Sequence, residues 1–344
     1  MLFESIIKAL ILLLVLLAGA CASSRGNVFP LQEGYTSYQQ LLPRLQAIAA
    51  SAPKLVKLNI IGFSGTENLP IYMLEVGTRD AKRNILIVGQ HHGDEVLGVE
   101  VALAWAEQLA VNAQKDQTIL DILAQYCFRI IPTLNPEGYR VVTSGLYQNK
   151  RKNNRDTNAN GKLDLHSDGV DLNRNYPVFW DEDRVLPVGH PNYKGASPAS
   201  EPEVLAMMEL AQETQLELAI FLHSSPTGDI SEKMFLPAID SLNTVQKLRF
   251  QKTKAWADEY AVNLKRDYLS GTYSVSPYPG SRMGTARNYF FHTRECYAFL
   301  VEIGGVNKDG ISVIHPPLQM KDKIVARNIR ALRKLFTANL IRLD

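Results

Sequence analysis

A short aliphatic run, N-I-L-I-V at residues 84–88, breaks into G-Q-H-H-G-D-E-V-L-G at 89–98, and an apolar-periodic stretch continues from 96 to 113. The first run reads as a strand buried on both faces, the last as a helix. Strand, glycine-punctuated loop and helix in that order build a parallel sheet covered by helices. The loop carries two imidazoles and two carboxylates. His92 and Glu95 stand three residues apart, so one segment can present a neutral nitrogen and an anionic oxygen to one point. A catalytic zinc takes three such protein ligands at about 2.0–2.2 Å and keeps one position open. His91 and Asp94 have the same spacing and form a second candidate pair. H-x-x-E alone arises often by chance, and its ordinary reading is a solvated turn. The rest of the chain has to supply the weight.

Tyr38, Leu41, Leu42, Leu45 and Ile48 recur at helical spacing, with Pro43 expected to start or kink that helix. Strands are expected over 55–61, 71–77, 128–133, 216–222 and 297–303, and helices over 201–213, 241–261 and 318–340. Asn135-Pro136-Glu137-Gly138 reads as a turn. These alternations predict an α/β fold: a single domain with a mixed, largely parallel twisted sheet flanked by helices. Such sheets bind ligands beyond the carboxyl ends of their strands. Residues 148–176 are polar and turn-rich, and a loop of that length in a compact domain is usually functional or disordered. Within it Asp156, Asn158, Asn160, Gly161 and Asp164 match the opening of a calcium loop, although Ser167 stands where the closing glutamate belongs. A plain Asn/Gly turn is the better reading, and Ca2+ the lesser one.

Residues 1–20 read as a signal segment. Lys8 precedes an aliphatic run at 9–17 that is too short to span a bilayer, and Ala18-Gly19-Ala20-Cys21 fits export with lipidation at Cys21. The expected destination is the cell envelope, with the membrane contacted only through that anchor. The remaining segment, 30–344, is expected to be one catalytic domain. A formal net charge of +2 gives no hint of a nucleic-acid partner. Cys127 and Cys296 each begin an apolar run, and outside the cytoplasm they could pair; sequence alone does not bring them within bonding distance.

Four residues give the site its weight. His92, Glu95, His223 and Glu302 all fall at or just beyond the ends of apolar strands. A carboxylate inside an apolar strand is costly to bury without a partner, so Glu302 needs a cation or a role. A lone strand-end histidine is more often structural. Two histidines and two glutamates at strand ends are better explained as three zinc ligands and one general base.

With these residues in place, the chain resembles the zinc carboxypeptidases, the carboxypeptidase A-like metallopeptidases. The likeness runs through H-G-D-E at 92–95, G-V-D-L-N-R-N-Y at 169–176, S-E-P-E at 200–203, His223-Ser224 and Glu302, in the family's order and over roughly residues 30–340. The resemblance implies one Zn2+, held by His92, Glu95 and His223, and hydrolysis of the C-terminal peptide bond of a peptide with a free carboxylate. It implies Asn173 and Arg174 as the carboxylate clamp and Glu302 as the catalytic base. The family's carbonyl-polarising arginine ends an R-K-x-R stretch; here R-K-N-N-R is one residue longer, and Arg155 is expected in that role, with Arg151 in reserve. Its substrate-covering tyrosine is expected at Tyr278, with Tyr273 as the alternative. Arg282 is expected to line the pocket for the terminal side chain and favour a carboxylate there, with Arg287 able to substitute. Cell-wall peptides and general peptides are equally compatible substrates. The alternatives are an amidohydrolase of small acyl-amino acids and an inactive peptide-binding relative.

Overall fold

The computed structural model describes residues 27–28, 31–78, 81, 83–225, 230–239, 243–267, 269–277, 282–304 and 313–341. The expected signal segment, Cys21 and Tyr278 lie outside them. In chain order the main elements are α1 (Tyr38–Ser51), β2 (Val56–Phe63), β3 (Pro70–Val76), β4 (Arg83–Val88), α2 (Val96–Asn112), α3 (Gln117–Gln125), β5 (Tyr126–Ile131) and α4 (Pro136–Thr143). They continue with α5 (Pro202–Glu213), β6 (Leu216–His223), β7 (Lys233–Leu236), α6 (Thr244–Asn263), β8 (Ser274–Pro277), α7 (Ala286–His292), β9 (Tyr297–Glu302) and α8 (Leu318–Ile341). A two-stranded parallel pair, β1 (Asn27–Val28) with β10 (Val313–Ile314), stands apart.

The eight-stranded sheet runs β2-β3-β5-β4-β6-β9-β7-β8. Its centre, β5-β4-β6-β9, is parallel, and antiparallel pairings border it at β3–β5 and β7–β9. Alternation along each strand divides the core in two. Ile85, Ile87, Phe299 and Val301 face the layer that holds Trp105, Trp256, Leu332 and Phe336. Leu86, Val88, Ala298 and Leu300 face the other, with Met207, Phe290 and Phe291. Both faces are covered, which is why β4, β6 and β9 read as largely apolar runs.

The chain leaves β4 for β5 on one side and returns to β6 on the other. That is a topological switch point, and the loop after β4 opens at it. The loop is tightly held. A Cβ on Gly98 would come within 1.7 Å of the Gly89 carbonyl oxygen, and one on Gly93 within 2.4 Å of the Gly138 carbonyl carbon. Only glycine permits those approaches, so the glycines of G-Q-H-H-G-D-E-V-L-G seat the start of α2 against the end of β4.

Some expectations change here. Ser37 and Gln40 form a capping box, so α1 begins at Tyr38 and Pro43 lies inside it. Asn135-Pro136 opens α4 rather than a turn: the Asn135 side chain accepts from the Gly138 amide and Pro136 takes the first helical position. Cys127 and Cys296 are both buried and free. Cys127 lies on β5 and Cys296 just before β9, with β4 and β6 between those strands, so they do not pair.

Candidate active site

Three side chains converge past the ends of β4 and β6. One ligand atom each from His92, Glu95 and His223 lie within 4.8 Å of one another, and all three residues are buried. His92 Nδ1 is 2.7 Å from Glu95 Oε1 and 3.1 Å from His223 Nδ1, while His223 Nδ1 is 2.7 Å from Glu95 Oε2. His92 Nε2 donates to Asp171 Oδ1 at 2.9 Å. With its Nε2 proton on Asp171, His92 turns the Nδ1 lone pair towards a carboxylate oxygen and a second imidazole. Lone pairs so close repel unless a positive charge stands among them. That charge is either a proton, making His92 an imidazolium, or a metal cation. The electrostatics agree. Burial and Arg151 push the His92 pKa down, but Glu95 and Asp171 outweigh them and hold it at about 9. Burial lowers His223 to about 4. Glu95 is driven well below the usual carboxylate range by His92 and His223, against its burial. Two nitrogens and a carboxylate at this spacing fit zinc, and an imidazole oriented by a carboxylate is the usual outer support of such a ligand.

Glu302 ends β9 directly beside His223, its register partner on β6. It is 8% exposed, and its Oε2 has no hydrogen-bond partner among the described residues. Burial first, and the negative charge of Glu95 second, raise its pKa to about 8. The cavity it borders is also lined by Arg151, Asn173, Arg174, Phe235, Met283, Arg287 and Leu300.

His91 and Asp94 do not join the cluster. His91 is stacked on the His223 ring at 5.4 Å and its Nε2 meets the Tyr176 hydroxyl at 3.1 Å. Asp94 is half-buried, and its backbone oxygen accepts from His315 Nε2 at 2.7 Å.

Arg155 is a correction. Its Nε donates to Glu201 at 2.9 Å and its Nη2 to the Ser200 carbonyl, with the side chain 44% exposed and outside the cavity. Arg151 is the arginine that enters. Its Nη2 bonds Asp171 Oδ2 at 2.7 Å and its Nη1 reaches Glu95 Oε1 at 3.4 Å. The two asparagines between them explain the difference. Asn153 is pinned to Glu201 through its side-chain amide, and the Asn154 amide is held by Glu137. The stretch is thereby turned towards the S-E-P-E corner and carries Arg155 away.

Arg282 is a second correction. Its guanidinium pairs with Glu182 and lies 4.2 Å over the Phe179 ring, so it caps the neighbouring loop and does not line the cavity. Arg287 does. Tyr273 is 4% exposed, with its hydroxyl accepting from the Gly304 amide, and it is not among the cavity's lining residues. Arg174 lines the cavity, whereas the Asn173 side chain is spent on its neighbours: Oδ1 accepts from the Ala286 amide at 3.0 Å and Nδ2 sits 3.3 Å from His223 Nε2.

Calcium finds no support. Asp156 accepts from the amides of Asn160 and Gly161, and Asp164 from those of His166 and Ser167, so these carboxylates close turns of their own loop.

Asp171, two positions before Asn173 in G-V-D-L-N-R-N-Y, is a site residue that the sequence does not mark. It is fully buried and orients both His92 and Arg151. Asp171→Asn should weaken zinc binding by about 10–100-fold, the usual cost of losing such a support. Competition with a chromophoric chelator measures it, and unchanged affinity would remove Asp171 from that role.

Carboxypeptidase N catalytic chain of Rattus norvegicus is 28% identical over 213 residues, covering 57% of this chain and 44% of the relative. Inactive metallocarboxypeptidase ECM14 of Ajellomyces capsulatus (strain H143) is 31% identical over 168 residues, 47% of this chain and 27% of the relative. The chain therefore spans less than half the length of these relatives. Among solved structures, bovine thrombin-activatable fibrinolysis inhibitor in complex with tick carboxypeptidase inhibitor superposes with a TM-score of 0.73 at 20% identity, covering 90% of this chain and 98% of the other. Carboxypeptidase A from Helicoverpa armigera gives 0.72 at 20%, covering 97% and 80%. At that identity the likeness is one of fold. The family model described as zinc carboxypeptidase matches residues 42–323, most of the sequence, and the chain belongs to that family.

Proposed function

We propose that this protein is a zinc-dependent carboxypeptidase that removes the C-terminal residue of peptides. The observation that carries the reading is one cavity holding His92, Glu95 and His223 beside Glu302, with Arg151 and Arg174 in the same wall. Zinc, when bound by His92, Glu95 and His223, supplies a Lewis acid that polarises a carbonyl and makes water acidic enough to attack near neutral pH.

The chain's own residues do the rest. Glu302 is placed to accept the proton of the attacking water and return it to the leaving nitrogen. Arg151, anchored on Asp171, points a fixed positive charge into the cavity where an oxyanion would develop. Arg174 offers a guanidinium to the substrate's terminal carboxylate, which such a fork can hold bidentately. Asn173 keeps that corner in place through Ala286 and His223. Arg151→Ala should lower kcat by about 10²–10³-fold, as removing one oxyanion donor does. Arg155→Ala should change it far less. The opposite order in steady-state kinetics would return the role to Arg155.

One relative is named inactive, so hydrolysis itself comes first. A peptide with a free C-terminus is compared with its C-terminal amide, and released amino acid is measured. Release from the free peptide alone supports the reading. Equal cleavage of both, or of neither, defeats it. Residues 1–21 favour an exported, lipid-anchored enzyme acting on peptides of the cell envelope, including those of the cell wall. Cys21→Ser should then move the protein from the membrane fraction to the soluble one.

A further inference from the structure

We propose that Arg287 selects peptides whose C-terminal residue carries a second carboxylate, a specificity that rests on the carboxypeptidase reading above. Arg287 is the second residue of α7 and is 4% exposed, yet it lines the same cavity as the metal cluster and Glu302. Its Nε donates to the Leu236 carbonyl at the end of β7, at 3.1 Å, which fixes the plane of the guanidinium. The neighbouring wall is apolar. Leu300 lies two residues before Glu302 on the same face of β9, and its register partner is Phe235 on β7. A wall of leucine and phenylalanine alone would suit an aliphatic terminal residue. A buried guanidinium in that wall changes the preference.

The charges of the cavity favour an anion. Among the described residues, three arginines, Arg151, Arg174 and Arg287, line it against two glutamates, Glu95 and Glu302, and a bound divalent metal would widen the excess. Arg151 is engaged by Asp171 and Glu95. Arg174 comes from the 172–174 turn and serves the backbone carboxylate of the substrate. Arg287 approaches from β7 and α7, a different segment, and therefore meets a different part of the ligand. Guanidinium and carboxylate pair strongly when solvent is excluded, and a site built for such a partner discriminates against residues that leave it unpaired. A cationic terminal residue would face repulsion as well.

A purely structural Arg287, bracing β7 or balancing Glu302, would affect all peptides alike. The test is therefore a ratio. Matched peptides ending in Glu, Leu and Lys are compared by kcat/KM with the zinc-loaded protein. Glu should lead Leu by about tenfold or more, with Lys last. In Arg287→Gln the Glu-to-Leu ratio should collapse towards one, and Arg287→Lys should restore part of it. Wild-type preference for Leu or Lys, or a ratio that Arg287→Gln leaves unchanged, overturns the proposal; the wild-type order decides it even if the variant does not fold. Calorimetric binding of N-acetyl-glutamate, N-acetyl-leucine and N-acetyl-lysine reads the pocket without hydrolysis. Tighter binding of the glutamate derivative, lost in Arg287→Gln, supports the assignment even where no peptide is cleaved, and equal binding of all three overturns it. A failure to release any terminal residue would instead strike the carboxypeptidase reading.

Discussion

Glu302→Gln is expected to bind zinc as the unaltered protein does while its turnover falls by at least about 10⁴-fold, the upper end for general acid–base catalysis, because one carboxylate serves two proton transfers. The geometry separates the two properties. Glu302 lies beside His223 in the β6–β9 register but is not part of the three-residue cluster. Its Oε2 is buried without a hydrogen-bond partner among the described residues, so the amide can occupy the same space without breaking a bond to any of them. What the amide cannot do is take a proton. Burial and the charge of Glu95 hold the Glu302 pKa near 8, far above an ordinary glutamate, so the carboxylate binds protons readily near neutral pH. A bound cation would lower that value and leave the base ionised over a wider range. Elemental analysis and single-turnover assays of the variant check both halves. Substantial remaining turnover, or a protein purified without zinc, would contradict the role.

His92→Ala is expected to have the other large effect: loss of the metal and, with it, of activity. Removing His92 leaves Glu95 and His223, and two protein ligands do not make a stable catalytic zinc site. It also removes one donor from the fully buried Asp171, which keeps Arg151 and the Asn173 amide. His91→Ala is the control. Its neighbour in sequence is not its neighbour in chemistry, because His91 turns into the aromatic layer against Phe221 and Tyr176. That variant should keep most of its zinc, at some cost in packing against His223. Zinc retained by His92→Ala and lost by His91→Ala would reverse the assignment.

The legible part of the site was the part made by strand ends. His223 and Glu302 close apolar runs, and H-G-D-E follows one, so pattern alone brought them together at the carboxyl edge of a sheet. The illegible part was made by loops, where direction depends on partners far off in sequence. Nothing in R-K-N-N-R says that the Gly93 amide donates to the Arg151 carbonyl while Asn153 is tied to Glu201. Those two anchors decide which arginine enters the cavity. Arg287 is inconspicuous in the sequence for a different reason. A-R-N-Y-F-F-H forms a seven-residue helix, too short for its periodicity to stand out from the loop before it. Asp171 carried no signal of its own, since a buried carboxylate that serves a histidine and an arginine looks in sequence like any loop aspartate. Asn135-Pro136 shows a related ambiguity: the same dipeptide serves a turn or a helix start, and only the Gly138 amide on Asn135 distinguishes them here.

The most direct test is a zinc titration of the metal-free protein, following bound metal and release of a C-terminal amino acid together. Both should saturate at one zinc per chain, and neither should respond in His92→Ala. Activity that persists without zinc, or zinc that binds at full stoichiometry in His92→Ala, would contradict a catalytic metal held by His92, Glu95 and His223.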